Sequence, residues 1–150
     1  MANLAWLVEN RRTNPKLRDA KNMSEPLKIL YVDDEDDIRE IAVMALEFDP
    51  GLTVRSCASG SDALATVADW LPDLILLDVM MPDMDGPETL TRLQQAPETA
   101  AVPVVFTTAR TQPEDIDRFM NLGAAGVISK PFDPMTLAEQ ARGLLAKRKS

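Results

Sequence analysis

Three carboxylates and one lysine stand where apolar runs of the chain stop. Asp33 and Asp34 follow Lys28-Ile-Leu-Tyr-Val32, Asp78 follows Leu74-Ile-Leu-Leu77, and Lys130 follows Gly126-Val-Ile-Ser129. Charge at the end of a buried segment is strongly penalised unless it is paired or holds a metal, so four such positions mark a site. Three acids can hold a divalent cation through oxygen, and a lysine beside them can answer a second anionic group. That set is the minimum for handling phosphate on Mg²⁺. The sequence contains no histidine, which removes Ser-His and Cys-His nucleophile pairs, His-ligated zinc and any phosphohistidine on this chain. Phosphate that arrives from a histidine comes from another protein.

These residues need elements to bring them together. From Leu27 onward, short β-like runs alternate with helical periodicity, five times over. The strand candidates are Lys28–Val32, Leu52–Arg55, Leu74–Leu77, Val104–Thr107 and Gly126–Ile128. Ile38, Ile41, Ala42, Ala45 and Leu46 fall on one helical face, and Leu137, Ala138, Ala141, Leu144 and Leu145 repeat the pattern. Ala63, Leu64, Val67 and Ala68 do so more weakly, as do Ile116, Phe119 and Met120. Asp49-Pro-Gly51, Leu71-Pro72, Ala96-Pro97 and Gly123 supply stops, while Pro113 and Pro134 suit first turns of helices. Strands separated by single helices imply right-handed crossovers and a parallel sheet covered on both faces. The expected fold is α/β, a five-stranded parallel sheet flanked by helices. In such sheets the carboxyl ends of the strands carry function, and Asp33, Asp34, Asp78, Thr108 and Lys130 all lie at those ends.

With Asp33-Asp34 first, Asp78 and the downstream Met81-Pro-Asp-Met-Asp-Gly86 second, Pro103-Val-Val-Phe-Thr-Thr-Ala109 third and Gly123-Ala-Ala-Gly-Val-Ile-Ser-Lys-Pro-Phe132 fourth, the chain resembles a receiver domain of the bacterial two-component response regulators. The resemblance covers residues 27–150 and is closest in kind to single-domain chemotaxis receivers. It implies the flavodoxin-like (βα)5 receiver fold; the rule for site placement in such sheets is itself illustrated by a member of this family. It implies Asp78 as phosphoacceptor, its carboxylate becoming an acyl phosphate. Mg²⁺ would be held by Asp34 and Asp78 directly, by Asp33 mainly through water, and by the backbone carbonyl of Met80. Lys130 would pair with Asp78 at rest and with a phosphoryl oxygen afterwards, Thr108 would donate its hydroxyl, and the Lys130–Pro131 bond would be cis.

The same residues also suit other chemistry. Asp33, Asp34 and Asp36 suit the capping of a helix over Asp36–Glu47. Asp83-Met-Asp85-Gly86 resembles part of a calcium loop, but Met81 and Arg92 occupy its first and twelfth ligand positions. These acids fit a polar turn. Asp78-Val-Met80 lacks the second acid of Asp-x-Asp phosphohydrolases, which leaves a small Mg²⁺-dependent phosphohydrolase without a general acid. Thr107 is expected to face the core or have its hydroxyl satisfied, and Glu114, Asp115 and Asp117 to form a solvated helix face. Two departures from the family pattern stand out. Val127 occupies a position where receivers often carry an aromatic switch residue, so a ring cannot swing there. Met80 and Arg110, two residues past Asp78 and Thr108, supply no amide or acid to position attacking water, so a long-lived phosphorylated form is expected.

The whole chain bounds these expectations. It has 150 residues, 45% hydrophobic and 27% charged, with a net charge of −8, which fits one ordinary globular domain. That charge, with no basic run outside the termini, argues against direct nucleic-acid binding. No segment approaches the ~20 apolar residues of a membrane span. The single cysteine, Cys57, cannot form an internal disulfide and is expected to pack at a strand end, which fits a reducing, cytoplasmic setting. Residues 1–26 carry Arg11, Arg12, Lys16, Arg18 and Lys21 against three acids, a net of +2 that leaves −10 on residues 27–150. They read as an N-terminal extension, disordered or appended upstream of a natural start at Met23; a docking helix built on Leu4, Leu7 and Val8 is the alternative. The chain ends soon after its fifth helical stretch, so the expectation is a single-domain response regulator rather than a turnover enzyme. It would take phosphate from a sensor histidine kinase or histidine phosphotransfer protein and signal to an unknown protein target, with a homodimer left open. The alternative is a phosphorylation-independent receiver-like interaction module.

Overall fold

The computed structural model describes residues 25–149; the expectations for Leu4 to Met23 lie outside them. Within these described residues five strands and five helices alternate: β1 (Leu27–Val32), α1 (Asp36–Glu47), β2 (Leu52–Cys57), α2 (Gly60–Asp69), β3 (Leu74–Asp78), α3 (Gly86–Gln95), β4 (Val104–Thr108), α4 (Pro113–Asn121), β5 (Gly126–Ser129) and α5 (Leu137–Lys149). All strands pair in parallel in one sheet of order β2-β1-β3-β4-β5. This is the flavodoxin-like order expected. β1 starts one residue earlier than read and ends at Val32 as read, while the other four start as read and run one or two residues further at their carboxyl ends, because the ladder continues into the polar residues. Asp78 still pairs with Thr107, and Thr108 with Ser129.

Strand alternation divides the core into two layers. Leu30, Val32, Ile75, Leu77, Val104 and Phe106 face α2, α3 and α4, where Ala63, Val67, Leu90, Leu93 and Phe119 meet them. Ile29, Tyr31, Leu74, Leu76, Val105 and Ile128 face α1 and α5, against Ala42, Ala45, Leu46, Leu137, Ala141 and Leu145. β3 and β4 are buried along their whole length, so both read as unbroken apolar runs, as central parallel strands do. Each buried Leu, Ile or Val contributes about 1.5–3 kcal/mol. Ile41 departs from its expected stripe: it is 47% exposed, because at 100° per residue it falls at the edge of a face centred on Ala42, Ala45 and Leu46. Pro113 opens α4 as expected, whereas Pro134 lies in the turn before α5. Among the described residues, no helix is long and apolar enough to cross a membrane.

At the end of the sheet remote from the acids, α5 is pinned to the turn after α1. Arg142 donates through Nε and Nη2 to both oxygens of Asp49, whose Oδ1 also accepts from Gly51 N–H at 2.8 Å. These bonds hold the Asp49 carboxyl below the usual carboxylate range. A depressed folded-state value contributes stability above the unfolded value, lost as pH falls through the folded one. Asp49→Asn is therefore expected to cost under ~1 kcal/mol near neutrality, since the pair is partly solvated. Urea unfolding should show that difference shrinking as pH drops below about 4.

Candidate functional site

Strand order reverses between β1 and β3, so the loops that leave their carboxyl ends part and open a crevice. β1 delivers Asp33 and Asp34 to it, β3 delivers Asp78, β4 delivers Thr108 and the end of β5 delivers Lys130. A cleft of about 500 Å³ lies there, lined by Asp78, Thr108 and Lys130 and rimmed by Ile38, Ile41, Met80 and Phe132 among others. The Lys130–Pro131 bond is cis, as expected.

Asp33 is fully buried and takes three protein donors. Tyr31 donates its hydroxyl to Oδ2 at 3.0 Å, Lys130 Nζ donates to the same oxygen at 2.9 Å, and Glu35 N–H donates to Oδ1 at 3.0 Å. Asp33 thus does cap a backbone N–H, but in the turn ahead of α1. The N-cap position itself falls to Glu35, without a side-chain cap, and Asp36 and Asp37 sit in the first turn. Arg39 braces the same turn by donating to the Asp33 carbonyl at 2.7 Å and pairing with Asp36.

Lys130 also reaches Asp78 Oδ1, at 3.4 Å. The expected Lys130–Asp78 pair is present, but the shorter bond goes to Asp33, the more deeply buried acid and the one in greater need of countercharge. Burial and then the Asp33 charge push the Asp78 carboxyl up to about 6, against Lys130 and the Met80 N–H, which favour its ionised form. Burial opposes the charge of Lys130, but its hydrogen bond to Asp33 and the charges of Asp78 and Asp33 hold it above the usual lysine range. The Thr108 hydroxyl accepts from Arg110 N–H at 3.0 Å, which leaves its own proton free to donate into the cleft.

Oxygens of Asp33, Asp34 and Asp78 lie within 4.8 Å of one another. An all-oxygen acidic set with no nitrogen or sulfur donor suits a hard divalent cation such as Mg²⁺ or Ca²⁺, so the residues present fit the metal the resemblance implies. Asp83 and Asp85 take no part in it. Asp83 turns the chain with φ 68°, a conformation aspartate tolerates, and Asp85 caps α3 by accepting from Glu88 N–H at 2.9 Å. Thr107 faces the core, but its hydroxyl lacks a hydrogen-bond partner among the described residues. Cys57 is buried beside Thr66, and burial pushes its thiol up, which makes it packing rather than chemistry. Tyr31 is the site residue that sequence reasoning missed.

The β3–α3 loop is closed by Gly86, whose N–H donates to the Val79 carbonyl at 2.9 Å. A Cβ at Gly86 would stand 2.5 Å from the Asp78 carbonyl oxygen, 2.9 Å from Val79 Cα and 3.1 Å from the Phe106 ring. The first two are backbone atoms of the segment that carries Asp78, so that backbone must move. Gly86→Ala is expected to cost about 1–3 kcal/mol in chemical denaturation and to displace Asp78 from Lys130. Wild-type stability in that variant would show that the loop is slack.

Comparison with known proteins agrees with this geometry. Residues 29–142 match the family described as the response regulator receiver domain. Response regulator Rre1 of Synechocystis is 36% identical over 128 residues, covering 85% of this chain and 55% of that protein. The phosphate regulon transcriptional regulatory protein PhoB of Pseudomonas aeruginosa is 35% identical over 119 residues, covering 79% of this chain and 52% of PhoB. The chain thus spans about half the length of these curated relatives. Among solved structures, chemotaxis response regulator CheY4 of Vibrio cholerae superposes with a TM-score of 0.74 at 33% identity, covering 79% of this chain and 98% of CheY4. On the match along most of its length, and on a fold that superposes on a solved chemotaxis response regulator, the chain belongs to the response regulator receiver family.

Proposed function

We propose that this chain is a response regulator receiver that accepts a phosphoryl group on Asp78 from a histidine kinase or phosphotransfer protein. The observation that carries the reading is a buried carboxylate at the tip of the central strand, open to a cleft, 3.4 Å from a lysine and ringed by two further acids. An Asp78 oxygen attacks phosphorus, the bond from phosphorus to the donor imidazole nitrogen breaks, and the imidazole takes its proton from solvent. Asp34, Asp78 and the Met80 carbonyl would hold Mg²⁺, with Asp33 beside them acting through water. When bound, the cation neutralises the charge that otherwise keeps an anionic nucleophile from an anionic donor. Lys130 shifts from the carboxylates to a phosphoryl oxygen, a task suited to a point charge on a flexible stem, and Thr108 donates its hydroxyl to another.

The apolar rim of Ile38, Ile41, Met80 and Phe132 gives the donor protein a surface beside the nucleophile. Val127 is only half-buried against the core and has no ring to swing, so output passes through shifts of loops and helices to a protein target. The Met80 and Arg110 side chains are exposed and offer attacking water neither an amide nor an acid, which supports a slow loss of phosphate. The test is intact mass after incubation with acetyl phosphate, followed in time after donor removal. One phosphoryl group gained in Mg²⁺, none in chelator and slow reversal are expected. No adduct in Mg²⁺ with any donor would move the chain to the interaction-module reading.

A further inference from the structure

Tyr31 is the sole tyrosine of the sequence, fully buried below the acidic crevice and set edge-on to Phe132 at 6.4 Å between ring centroids. Its hydroxyl donates to Asp33 Oδ2, the oxygen that Lys130 also holds. The phenol is the donor in that bond, because an ionised carboxylate only accepts. Carboxylate oxygens offer about two acceptor directions each. Tyr31 and Lys130 fill both on Oδ2, and Glu35 N–H fills one on Oδ1, which leaves a single direction for anything else.

Two of those three donors are rigid, namely a backbone N–H and a ring locked in the core. Lys130 is a flexible stem and cannot by itself fix the plane of the carboxylate. The rotation of Asp33 is therefore set by Tyr31 together with Glu35 N–H. A carboxylate held this way presents one oxygen lone pair and cannot turn to clasp a cation with both oxygens. Mg²⁺ keeps several waters and needs few protein oxygens in near-octahedral array, whereas Ca²⁺ gathers six to eight oxygens and accepts bidentate carboxylates.

We propose that Tyr31 is a positioning residue that sets the cation preference of the site, locking Asp33 with one free acceptor direction so that Mg²⁺ is favoured over Ca²⁺. This rests on the reading of Asp33, Asp34 and Asp78 as a cation site. The test is calorimetric titration of Mg²⁺ and of Ca²⁺ into wild type and Tyr31→Phe, which removes one oxygen and keeps the ring contact with Phe132. The expected result is a shift of about tenfold in the Mg²⁺-to-Ca²⁺ affinity ratio toward Ca²⁺. A mere loss of stability weakens both cations together and leaves the ratio in place; an unchanged ratio overturns the proposal. In an Asp33→Asn background, Tyr31→Phe should leave the ratio unmoved, and a shift that persists there also overturns it. Should Tyr31→Phe fail to fold by circular dichroism, fluorotyrosine incorporated into the wild-type chain labels Tyr31 alone. Its ¹⁹F resonance should then move as Mg²⁺ saturates, and a static resonance is the contrary result. Wild type that takes up neither cation removes the cation site itself, a failure distinct from that of Tyr31.

Discussion

Asp78→Asn is expected to take up no phosphoryl group from any donor and yet to resist urea better than wild type in the presence of chelator. The first effect follows from chemistry, because an amide is not a nucleophile toward phosphorus and no other carboxylate shares its place. Asp33 lies alongside, but its oxygens are engaged by Tyr31, Lys130 and Glu35. The second follows from burial. Asp78 ionises against desolvation and the Asp33 charge, which push its carboxyl up to about 6. Each tenfold change in proton affinity corresponds to about 1.4 kcal/mol. An asparagine removes that repulsion while keeping the shape, so a gain of about 1–3 kcal/mol is expected at neutral pH. Intact mass reads the first effect and the denaturation midpoint the second. Phosphate still gained by the Asp78→Asn protein would place the acceptor elsewhere.

Lys130→Met should be the opposite case, with a large loss in chelator that Mg²⁺ partly restores. Lys130 is the shared countercharge of Asp33 and Asp78, at 2.9 and 3.4 Å. Methionine keeps most of the stem packing and removes the charge, leaving two buried carboxylates facing each other. Breaking such a pair costs about 3–5 kcal/mol, and the lower end is expected because Asp78 can relieve the repulsion by taking a proton. Added Mg²⁺ supplies positive charge to the same oxygens, so its stabilising increment in thermal melts should exceed that of wild type. Equal wild-type and Lys130→Met midpoints in chelator would show that Lys130 carries no such load. Uptake from acetyl phosphate should also slow, since no ammonium then takes the phosphoryl oxygen that Lys130 meets in wild type.

β1, β3, β4 and β5 were legible because each opens as an apolar run after Pro, Gly or acid, and their carboxyl ends could be named before any geometry; β2, Leu-Thr-Val-Arg-Ser-Cys at the sheet edge, showed only in its alternation after Gly51. Asp33, Asp34, Asp78, Thr108 and Lys130 were found for the same reason: polar residues at the ends of such runs stand out. Helix α3 was not named residue by residue, because its buried face includes Thr89, whose hydroxyl is satisfied by the Asp85 carbonyl at 2.8 Å. A polar residue that buries itself this way blurs the period of the stripe. Tyr31 was hidden in an apolar run, although a signal existed: residues two apart in a strand share a face, and Asp33 is two residues on. The preference of Lys130 for Asp33 depends on which acid is more deeply enclosed, and spacing carries no such information.

Unequal anchoring of β3 and α4 has a consequence for how the molecule breathes. β3 is paired on both sides and buried at every residue, so its amides should exchange with solvent only when the whole domain opens. α4 has Phe119 as its one fully buried residue, packed at a tilt against Phe106 with 5.1 Å between ring centroids. Its amides should exchange through local openings far cheaper than global unfolding. A perturbation at Asp78 thus meets an unyielding support on β3 and a loosely tethered neighbour in α4, and α4 is the element that gives way.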